Sequence, residues 1–391
     1  MKKSIILAAI ACVALAGCTK NEKIESGASA NVPLTFSAIT NPATKTVFGE
    51  MPAAYNTAEQ FVAYAGWTNG DYTNGAAVTE FFVNNTTTAL CSYVGNDGSI
   101  NWNCWKPAST YYWPKTGKLT FEALSPAAAY DHGTITHAWA TGFSITDFVV
   151  RGELRYQYDL MYSDRTFNKV REDYTPSATA DPSDPYDDDD NSVYGYNGVN
   201  LMFRHILSSI VFKVKTKADY TNATITLTGI TINNAYTKGN FAETGNDGDA
   251  SGWAVTPAWS SQSTADNYSV FSGSQVVTYN GGTAQVLSAL VGGASNIILL
   301  PQALEHTSAT DNVTVTVNYT VAQNGGSALP QQAVIKLKEL KSGGSAITAW
   351  DLGKRYTYTI VFGLDEIYFD PAVADWTDVT MDEYVIKESD V

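Results

Sequence analysis

The sequence predicts an all-β protein made of two antiparallel β-sandwich domains with few, short helices. Apolar and polar residues alternate with a period of two in many short segments, which is typical of strands with one buried face. The 391 residues include 23 Tyr, 9 Trp and 30 Gly, which favour strands and turns. No segment sustains helical periodicity, and the length exceeds that of a single core, so two domains are expected.

Residues 1–17 have the features of a bacterial export signal. Two lysines precede an apolar stretch, Ile5 to Ala16, that is too short to span a bilayer permanently. The stretch ends in Leu-Ala-Gly-Cys, which resembles a lipobox. Cleavage between Gly17 and Cys18 and acylation of the Cys18 thiol would then anchor the mature chain in a membrane.

The mature chain is expected to begin at Cys18. Thr19 follows it, and the absence of Asp at that position favours the outer membrane over the inner one. The alternative is an ordinary cleaved signal in which the cysteine is accidental. Residues 18–31 are small and polar and are expected to form a flexible tether.

The clearest predicted strand is Val313–Val321, which places four valines and Tyr319 on one face. In the run from Ile225 to Ile232 the phase of the apolar residues slips at Gly229, which predicts a β-bulge. Further alternating segments are Leu34/Phe36/Ala38, Leu119/Phe121/Ala123 and Tyr356/Tyr358/Ile360/Phe362/Leu364.

Cys91 and Cys104 remain once the signal cysteine and the lipid site are set aside. The Asp97-Gly98 pair between them is a strong signal for a two-residue hairpin turn. Counting outward from that turn places the two cysteines opposite each other. We therefore expect a cross-strand disulfide with Tyr93 and Trp102 stacked beside it. A metal site is the weaker interpretation, because no His or further Cys is nearby.

The boundary between the two domains is predicted in an acidic, proline-containing segment, residues 175–191. Six Asp occur in ten of its residues, and such a stretch cannot bury apolar area. The predicted domains are residues 32–190, ending in this linker, and residues 191–391. The run Asp187–Asp190 offers oxygen ligands for Ca²⁺, but a solvated acidic loop is favoured because the glycine and glutamate of an EF-hand loop are missing.

The net charge of −15 argues against binding to nucleic acid, which depends on basic side chains. The chain has no nucleophile elbow, Walker loop, dinucleotide-binding glycines or His-Glu-x-x-His motif, so no catalytic residue is assigned. No cofactor or metal is expected. His132 and His137 are five residues apart, on opposite faces of a strand, and His205 lies in an apolar run, as structural histidines do.

An aromatic group could stack on sugar rings, although packing in a β core is the favoured interpretation. Its members are Trp102, Trp105, Tyr111, Tyr112 and Trp113. A hydrolase using dispersed carboxylates is a third class of function, but the 39 acidic residues show no spacing that nominates a pair.

Several segments together resemble the fimbrillin family, the lipoprotein-derived (type V) pilins of Bacteroidales-type bacteria. The resemblance covers nearly the whole mature chain and implies two transthyretin-like β-sandwich domains. The matching segments are Leu15–Cys18, Pro33–Ile39, Thr44–Thr46, Tyr111–Pro114, Leu119–Pro126, Asp159–Tyr162, Leu201–Leu207, Ile298–Gln302, Gly353–Ile360, Ile367–Pro371 and Trp376.

The resemblance also implies a mechanism of assembly. A trypsin-like protease removes the first strand of such pilins, and the C-terminal strand of another subunit fills the groove. Here the matching cleavage position is Lys45, the strand lost is residues 32–39, and the donor is residues 377–391. The donor side chains that would fill pockets are Val379, Met381, Tyr384 and Ile386. The family often has Arg at the processing site, so this chain requires a protease that accepts Lys.

The leading functional hypothesis is therefore a structural subunit of a surface fimbria that supports adhesion. Its partners would be other pilin subunits, including tip and anchor subunits, and outer-membrane lipid through acylated Cys18. The receptor is not identified by the sequence. Without cleavage at Lys45, a membrane-anchored accessory protein is expected instead, and a monomeric glycan-binding lipoprotein is the other alternative.

Overall fold

The computed structural model describes residues 33–39, 60–73, 77–82, 88–96, 101–171, 198–244, 256–294, 297–306, 312–364 and 367–375. In these ranges the chain forms strands and short 3-10 helices. The helices are Ala127–His132, Leu154–Tyr156, Val291–Gly293 and Leu337–Glu339. None of the helices in these ranges is long and apolar enough to cross a membrane.

The strands are numbered in chain order. They are β1 (Phe36–Ile39), β2 (Phe61–Thr68), β3 (Thr79–Glu80), β4 (Thr88–Asn96), β5 (Asn101–Pro107), β6 (Lys118–Ser125), β7 (Thr134–Ala138), β8 (Gly142–Val149), β9 (Met161–Ser163), β10 (Thr166–Lys169), β11 (Val199–His205), β12 (Ser208–Thr216), β13 (Ala223–Thr244), β14 (Thr256–Val277), β15 (Gln285–Val286), β16 (Ile297–Leu299), β17 (Gln302–Ala303), β18 (Thr314–Gln323), β19 (Leu329–Lys336), β20 (Lys341–Ser342), β21 (Ser345–Ala346), β22 (Ala349–Trp350), β23 (Lys354–Phe362) and β24 (Ile367–Asp375).

The first sheet closes on itself. Its strands follow the order β6, β9, β11, β1, β5, β4 and β2, and β2 pairs with β6 again, which makes a barrel-like ring of seven strands. β10 and β3 pair with strands of this ring from outside the cycle. The interior is filled by aromatic and aliphatic side chains that include Phe36, Phe61, Phe121, Leu201 and Phe203.

Two further sheets share a second core. One has six strands, with β19, β18, β13, β8 and β7 in order and β14 paired with β13. The other has five, with β15, β12, β23 and β24 in order and β16 paired with β12. Leu227 and Val315 of the first pack with Phe212 and Tyr358 of the second in one cluster of buried residues. This is the core expected of a β-sandwich.

The all-β prediction is confirmed, and so are the clearest strand patterns. In β18, Val315, Val317 and Val321 are buried, as the alternation predicts. The register of β13 against both of its long neighbours shifts between Leu227 and Gly229, which is the predicted bulge. One of the two expected sandwiches is instead the closed sheet, and the pairing is not wholly antiparallel. β1 with β11 and β12 with β23 run parallel.

Strands on the two sides of the acidic segment share sheets. β11 follows that segment in the chain, yet it pairs with β9 and β1 in the ring. β8 precedes the segment, yet it pairs with the second half of β13. The predicted linker and the Asp187–Asp190 run lie outside the described residues.

The expected disulfide between Cys91 and Cys104 is not formed, because the predicted register is wrong. Cys91 lies opposite Pro107 and Cys104 lies opposite Val94, with a register shift between Val94 and Asn96. The displacement is an odd number of residues, so it turns the two cysteines to opposite faces of the sheet. Tyr93 accordingly lies opposite Trp105 rather than beside Trp102.

Both thiols are buried. Burial raises the pKa of Cys91 well above its ordinary value, and burial also raises the pKa of Cys104 to about 11. Since the thiolate is the reactive form, each of these cysteines should react slowly in the folded protein.

We expect iodoacetamide at neutral pH to leave Cys91 and Cys104 unmodified in the native protein and to alkylate both in denaturant without a reductant. Peptide mass mapping of the two positions measures this directly. If the two positions stayed unmodified in denaturant until a reductant was added, the thiol assignment would be wrong.

Candidate functional site around the first strand

β1 closes the ring between β11 and β5. Its four residues pair in parallel with β11, from Phe36 opposite Val199 to Ile39 opposite Met202. On its other side only Phe36 pairs with β5, opposite Trp105. Just before β1, the Leu34 amide donates to the Tyr111 carbonyl at 2.8 Å. The strand is therefore short and is held mainly by its parallel neighbour.

Two side chains from this segment fill part of the barrel interior. Leu34 is 2% exposed and Phe36 is fully buried. The Phe36 ring meets the Phe121 ring edge-on with centroids 5.4 Å apart, and the Phe61 ring at 6.0 Å. Complete burial of such side chains contributes about 1.5–3 kcal/mol each. The first strand is therefore an integral part of the core, although few backbone hydrogen bonds hold it.

Gly198 allows β11 to approach the start of β1. Its φ is 79°, in the left-handed region, and the Val199 amide donates to the Thr35 carbonyl at 2.8 Å. A Cβ at residue 198 would lie 2.4 Å from the Thr35 carbonyl oxygen and 2.5 Å from the Phe36 nitrogen. No side chain fits this space, so a glycine here is a condition for the parallel pairing.

β6 forms a wall that the barrel shares with the second core. Phe121 and Ala123 face the barrel interior, whereas Leu124 belongs to the second core. Between them, Glu122 is 1% exposed and points away from the barrel interior. Both faces of this strand are therefore buried, one against the first strand and one against the β7–β8 region.

Glu122 is held by two partners on other segments. Its carboxylate accepts from Arg165 Nη2 at 3.0 Å and lies 2.7 Å from His137 Nε2 on β7. Burial tends to raise the pKa of Glu122, but Arg165 and the His137 hydrogen bond outweigh it and hold that pKa below the ordinary value. Glu122 is therefore a buried anion that links the barrel wall to β7.

Arg165 extends the same cluster. Its guanidinium donates to the Trp139 carbonyl at 2.8 Å and lies over the Tyr72 and Trp139 rings, 5.6 and 5.5 Å from their centroids. Arg165 thus joins the segment between β9 and β10 to the loop after β7. A buried cation of this kind needs its carboxylate partner to remain stable.

Glu243, on β13, is a second buried acid close to this cluster. Its carboxylate accepts a hydrogen bond from the Phe143 amide. Burial raises the pKa of Glu243 well above its ordinary value, and the negative charge of Glu122 raises it further. Arg165 therefore keeps Glu122 charged, whereas burial favours the neutral form of Glu243.

Comparison with known proteins identifies the family. A profile described as fimbrillin-like matches residues 57–376, which is most of the chain. The chain belongs to the fimbrillin-like family. Membership supports a structural subunit of a pilus-type surface fibre rather than an enzyme, and it implies a location in a cell-surface fimbrium. No curated protein sequence matches the chain.

The chain is also similar to solved structures of fimbrial and cell adhesion proteins. A fimbrial protein from Bacteroides vulgatus is 16% identical, with a TM-score of 0.52, and the match covers 88% of this chain and 99% of that one. A proposed cell adhesion protein from Bacteroides uniformis is 15% identical, with a TM-score of 0.46, over 90% and 100% of the two chains. The tip fimbrial protein Mfa3 from Porphyromonas gingivalis is 11% identical, with a TM-score of 0.35, over 82% and 95%.

Most residues that the sequence nominates for fimbrillin-like processing and assembly lie outside the described part of the chain. The structure describes residues 33–39 of the strand expected to be lost, and it places them in the barrel. The positions outside the described residues are Gly17, Cys18, Lys45, Val379, Met381, Tyr384 and Ile386.

The aromatic group does not form the sugar platform considered from the sequence. Trp105, Tyr111 and Trp113 are buried in the barrel core of this fimbrillin-like chain, with at most 8% exposure. Tyr112 is 40% exposed, and the side chain of Trp102 lies outside the described set. The three buried aromatics, Trp105, Tyr111 and Trp113, pack in the same core as Phe36 of the first strand.

The histidines have structural contacts. His205 Nδ1 lies 2.9 Å from the Asp159 carboxylate, His132 accepts from Arg151, and the His306 ring stacks on Tyr236 with centroids 3.9 Å apart. Among the described residues, no three or more His, Cys, Asp or Glu side chains group in a way that could hold a metal.

Sequence reasoning missed Gly198 and the buried ion pair. Glu122 alternates with the apolar residues between Leu119 and Leu124, as Thr120 does, so it looks like an ordinary solvent-facing residue. The signal that could have identified it is Leu124, an apolar residue on the same face. Gly198 directly precedes the alternating residues Val199, Leu201 and Phe203. A left-handed glycine is common before a strand, but the sequence does not show that the backbone of Thr35 and Phe36 lies against it.

We expect Gly198→Ala to lower the free energy of unfolding by about 1–3 kcal/mol more than Gly281→Ala, because the added methyl overlaps the backbone of Thr35 and Phe36. Gly281 is the matched control. It also has a positive φ, 56°, but a Cβ there meets nothing within 4 Å. Urea unfolding of both variants measures the difference, and equal losses would contradict the role of Gly198.

We expect Glu122→Gln to lower the free energy of unfolding by about 3–5 kcal/mol at neutral pH, because Arg165 loses its buried anionic partner. The lowered pKa means that the contribution of Glu122 is present above its unfolded-state pKa and is lost as the pH falls through its folded-state pKa. Urea unfolding at a series of pH values should therefore show the wild type and Glu122→Gln converging in acid.

Glu243→Gln is the contrasting variant. Because the pKa of Glu243 is raised, its contribution is complete below the unfolded-state pKa and is lost as the pH rises through the folded-state pKa. Glu243→Gln should therefore become more stable relative to the wild type as the pH increases, in the same urea titrations. A greater loss at neutral pH for Glu243→Gln than for Glu122→Gln would contradict this assignment of the two charges.

Proposed function

We propose that this fimbrillin-like chain is a fimbrial subunit that is exported as a lipoprotein, cut after Lys45 and polymerised by donor-strand exchange, and that the resulting fibre supports adhesion. Export would attach the chain to the outer membrane through acylated Cys18. Cleavage would then release the subunit from its anchor. Its partners would be other subunits of the same fibre.

The observation that supports this proposal most is the position of β1. Leu34 and Phe36 fill the barrel, and the strand ends at Ile39, before Lys45 in the chain. A cut after Lys45 would remove the covalent link between β1 and the rest of the barrel. After that, only hydrogen bonds and apolar contacts would keep the strand in place.

Loss of β1 would leave a site that another strand can satisfy. The β11 backbone from Val199 to Met202 would lose its ladder, and the rings of Phe61 and Phe121 would lose the packing of Phe36. Unpaired strand edges and exposed apolar pockets both favour the addition of a strand from another chain. The C-terminal residues 377–391, which contain alternating apolar positions, are the proposed donor.

The proposal predicts that sheared surface filaments contain a chain beginning at Thr46 and that this chain forms high-molecular-weight, detergent-resistant ladders. Lys45→Gln should abolish the new N-terminus and the ladders, because the first strand then stays covalently attached. Lys23→Gln, in the tether, is the matched control and should leave both unchanged. N-terminal sequencing and denaturing electrophoresis provide the two measurements.

Deletion of residues 377–391 should leave export and the Thr46 terminus intact while the ladders disappear. Unchanged ladders after this deletion would show that the donor lies elsewhere. Export and surface display of an uncut chain, with no ladders in the wild type, would favour the membrane-anchored accessory protein.

A further inference from the structure

The pairing of β1 is unfavourable in one respect. β1 is parallel to β11 over four residues and antiparallel to β5 at a single pair. Any strand between these two neighbours must be parallel to one and antiparallel to the other. Parallel pairing is slightly less stable per residue, and β1 has this pairing on its longer ladder.

A strand that ran in the opposite direction to β1 would exchange the two types of pairing and would be parallel to β5. It would pair antiparallel with β11, the neighbour with which β1 forms the longer ladder. β11 also continues from Phe203 to His205, beyond the four residues that pair with β1. The reversed strand would thus have the more stable type of ladder on the neighbour that pairs with four residues of β1, rather than on the one that pairs with a single residue.

The side chains of the first strand independently indicate the direction in which residues 377–391 would enter. Along the chain, aliphatic Leu34 precedes aromatic Phe36 by two residues, and both are buried in the barrel. In residues 377–391 one pair has the same spacing with one aromatic and one aliphatic member, Tyr384 and Ile386, and its order is reversed. Only a reversed strand places Tyr384 at the position of Phe36 and Ile386 at the position of Leu34 at the same time; in the direction of β1, Asp382 would take the Leu34 position.

We propose that residues 377–391 of a second copy enter the groove antiparallel to β1, with Tyr384 in the place of Phe36 and Ile386 in the place of Leu34. This inference rests on the proposed donor-strand function and specifies its direction and register. The competing arrangement runs in the same direction as β1 and places Val379 and Met381 in those two pockets.

Truncation of the donor side chains in the full chain separates the two arrangements. Tyr384→Ala should reduce detergent-resistant ladders by more than about a hundredfold, because removal of a buried aromatic ring costs about 3–5 kcal/mol and each 1.4 kcal/mol is a factor of ten. Tyr384→Phe should retain the ladders, since it keeps the ring. Met381→Ala should change them less than about twofold, because residue 381 has the opposite parity to Tyr384 and faces away from the barrel. Loss of ladders in Met381→Ala with retention in Tyr384→Ala would overturn the proposal.

Cross-linking tests direction without removing an apolar side chain from a pocket. Lys106 lies one residue beyond Trp105 on β5, so the antiparallel register places it opposite Thr35. In the proposed register Val385 takes the place of Thr35, whereas in the competing register Thr380 does. These two donor positions are five residues apart, about 17 Å along a strand.

The full chain would carry Lys106→Cys together with Cys104→Ser, which removes the neighbouring native thiol, and either Val385→Cys or Thr380→Cys. We expect an intersubunit disulfide through residue 385 and none through residue 380. A bond through residue 380 would overturn the direction while leaving donor-strand assembly intact. Ladders without either bond would overturn the register, and absence of ladders in the wild type would overturn the proposed function itself.

Discussion

Closure of the barrel depends on a short strand between two neighbours that run in opposite directions. Phe36 fills the space between Phe61 and Phe121, and the parallel ladder to β11 completes the ring. The aromatic rings of the interior are closely packed, so a void in place of Phe36 would lower the free energy of unfolding. A strand is required at this position, but the requirement does not specify which chain supplies it.

The wall opposite the groove explains why the rest of the molecule can retain its shape around this position. β6 buries Phe121 on one side and Glu122 on the other, and Glu122 is tied to His137 and Arg165. The contacts on the second side do not involve β1. The second core therefore supports the barrel wall independently of β1.

The strands could be predicted from the sequence, whereas their neighbours could not. Alternation identified β18 and the bulge at Gly229, because side-chain burial repeats with the geometry of the strand itself. The cysteine register failed because a shift between Val94 and Asn96 intervenes, and a local turn signal does not report a bulge in the strand. Glu122 was missed because its partners lie 43 and 15 residues away. The resemblance implied that the first strand fills a groove, but neither the resemblance nor periodicity predicted the closed ring or the parallel pairing of β1 with β11.

β13 pairs with strands from both sides of the acidic segment, and this limits where related chains can recombine. It pairs with β14 along one side, and on the other side with β18 near its start and β8 near its end. A fragment ending at residue 190 would lack β11 and leave the ring open. A fragment starting at residue 191 would lack β8 and uncover the end of β13. The acidic segment between them is therefore a poor point for recombination between related subunits, because both halves would need matching surfaces on the same sheets.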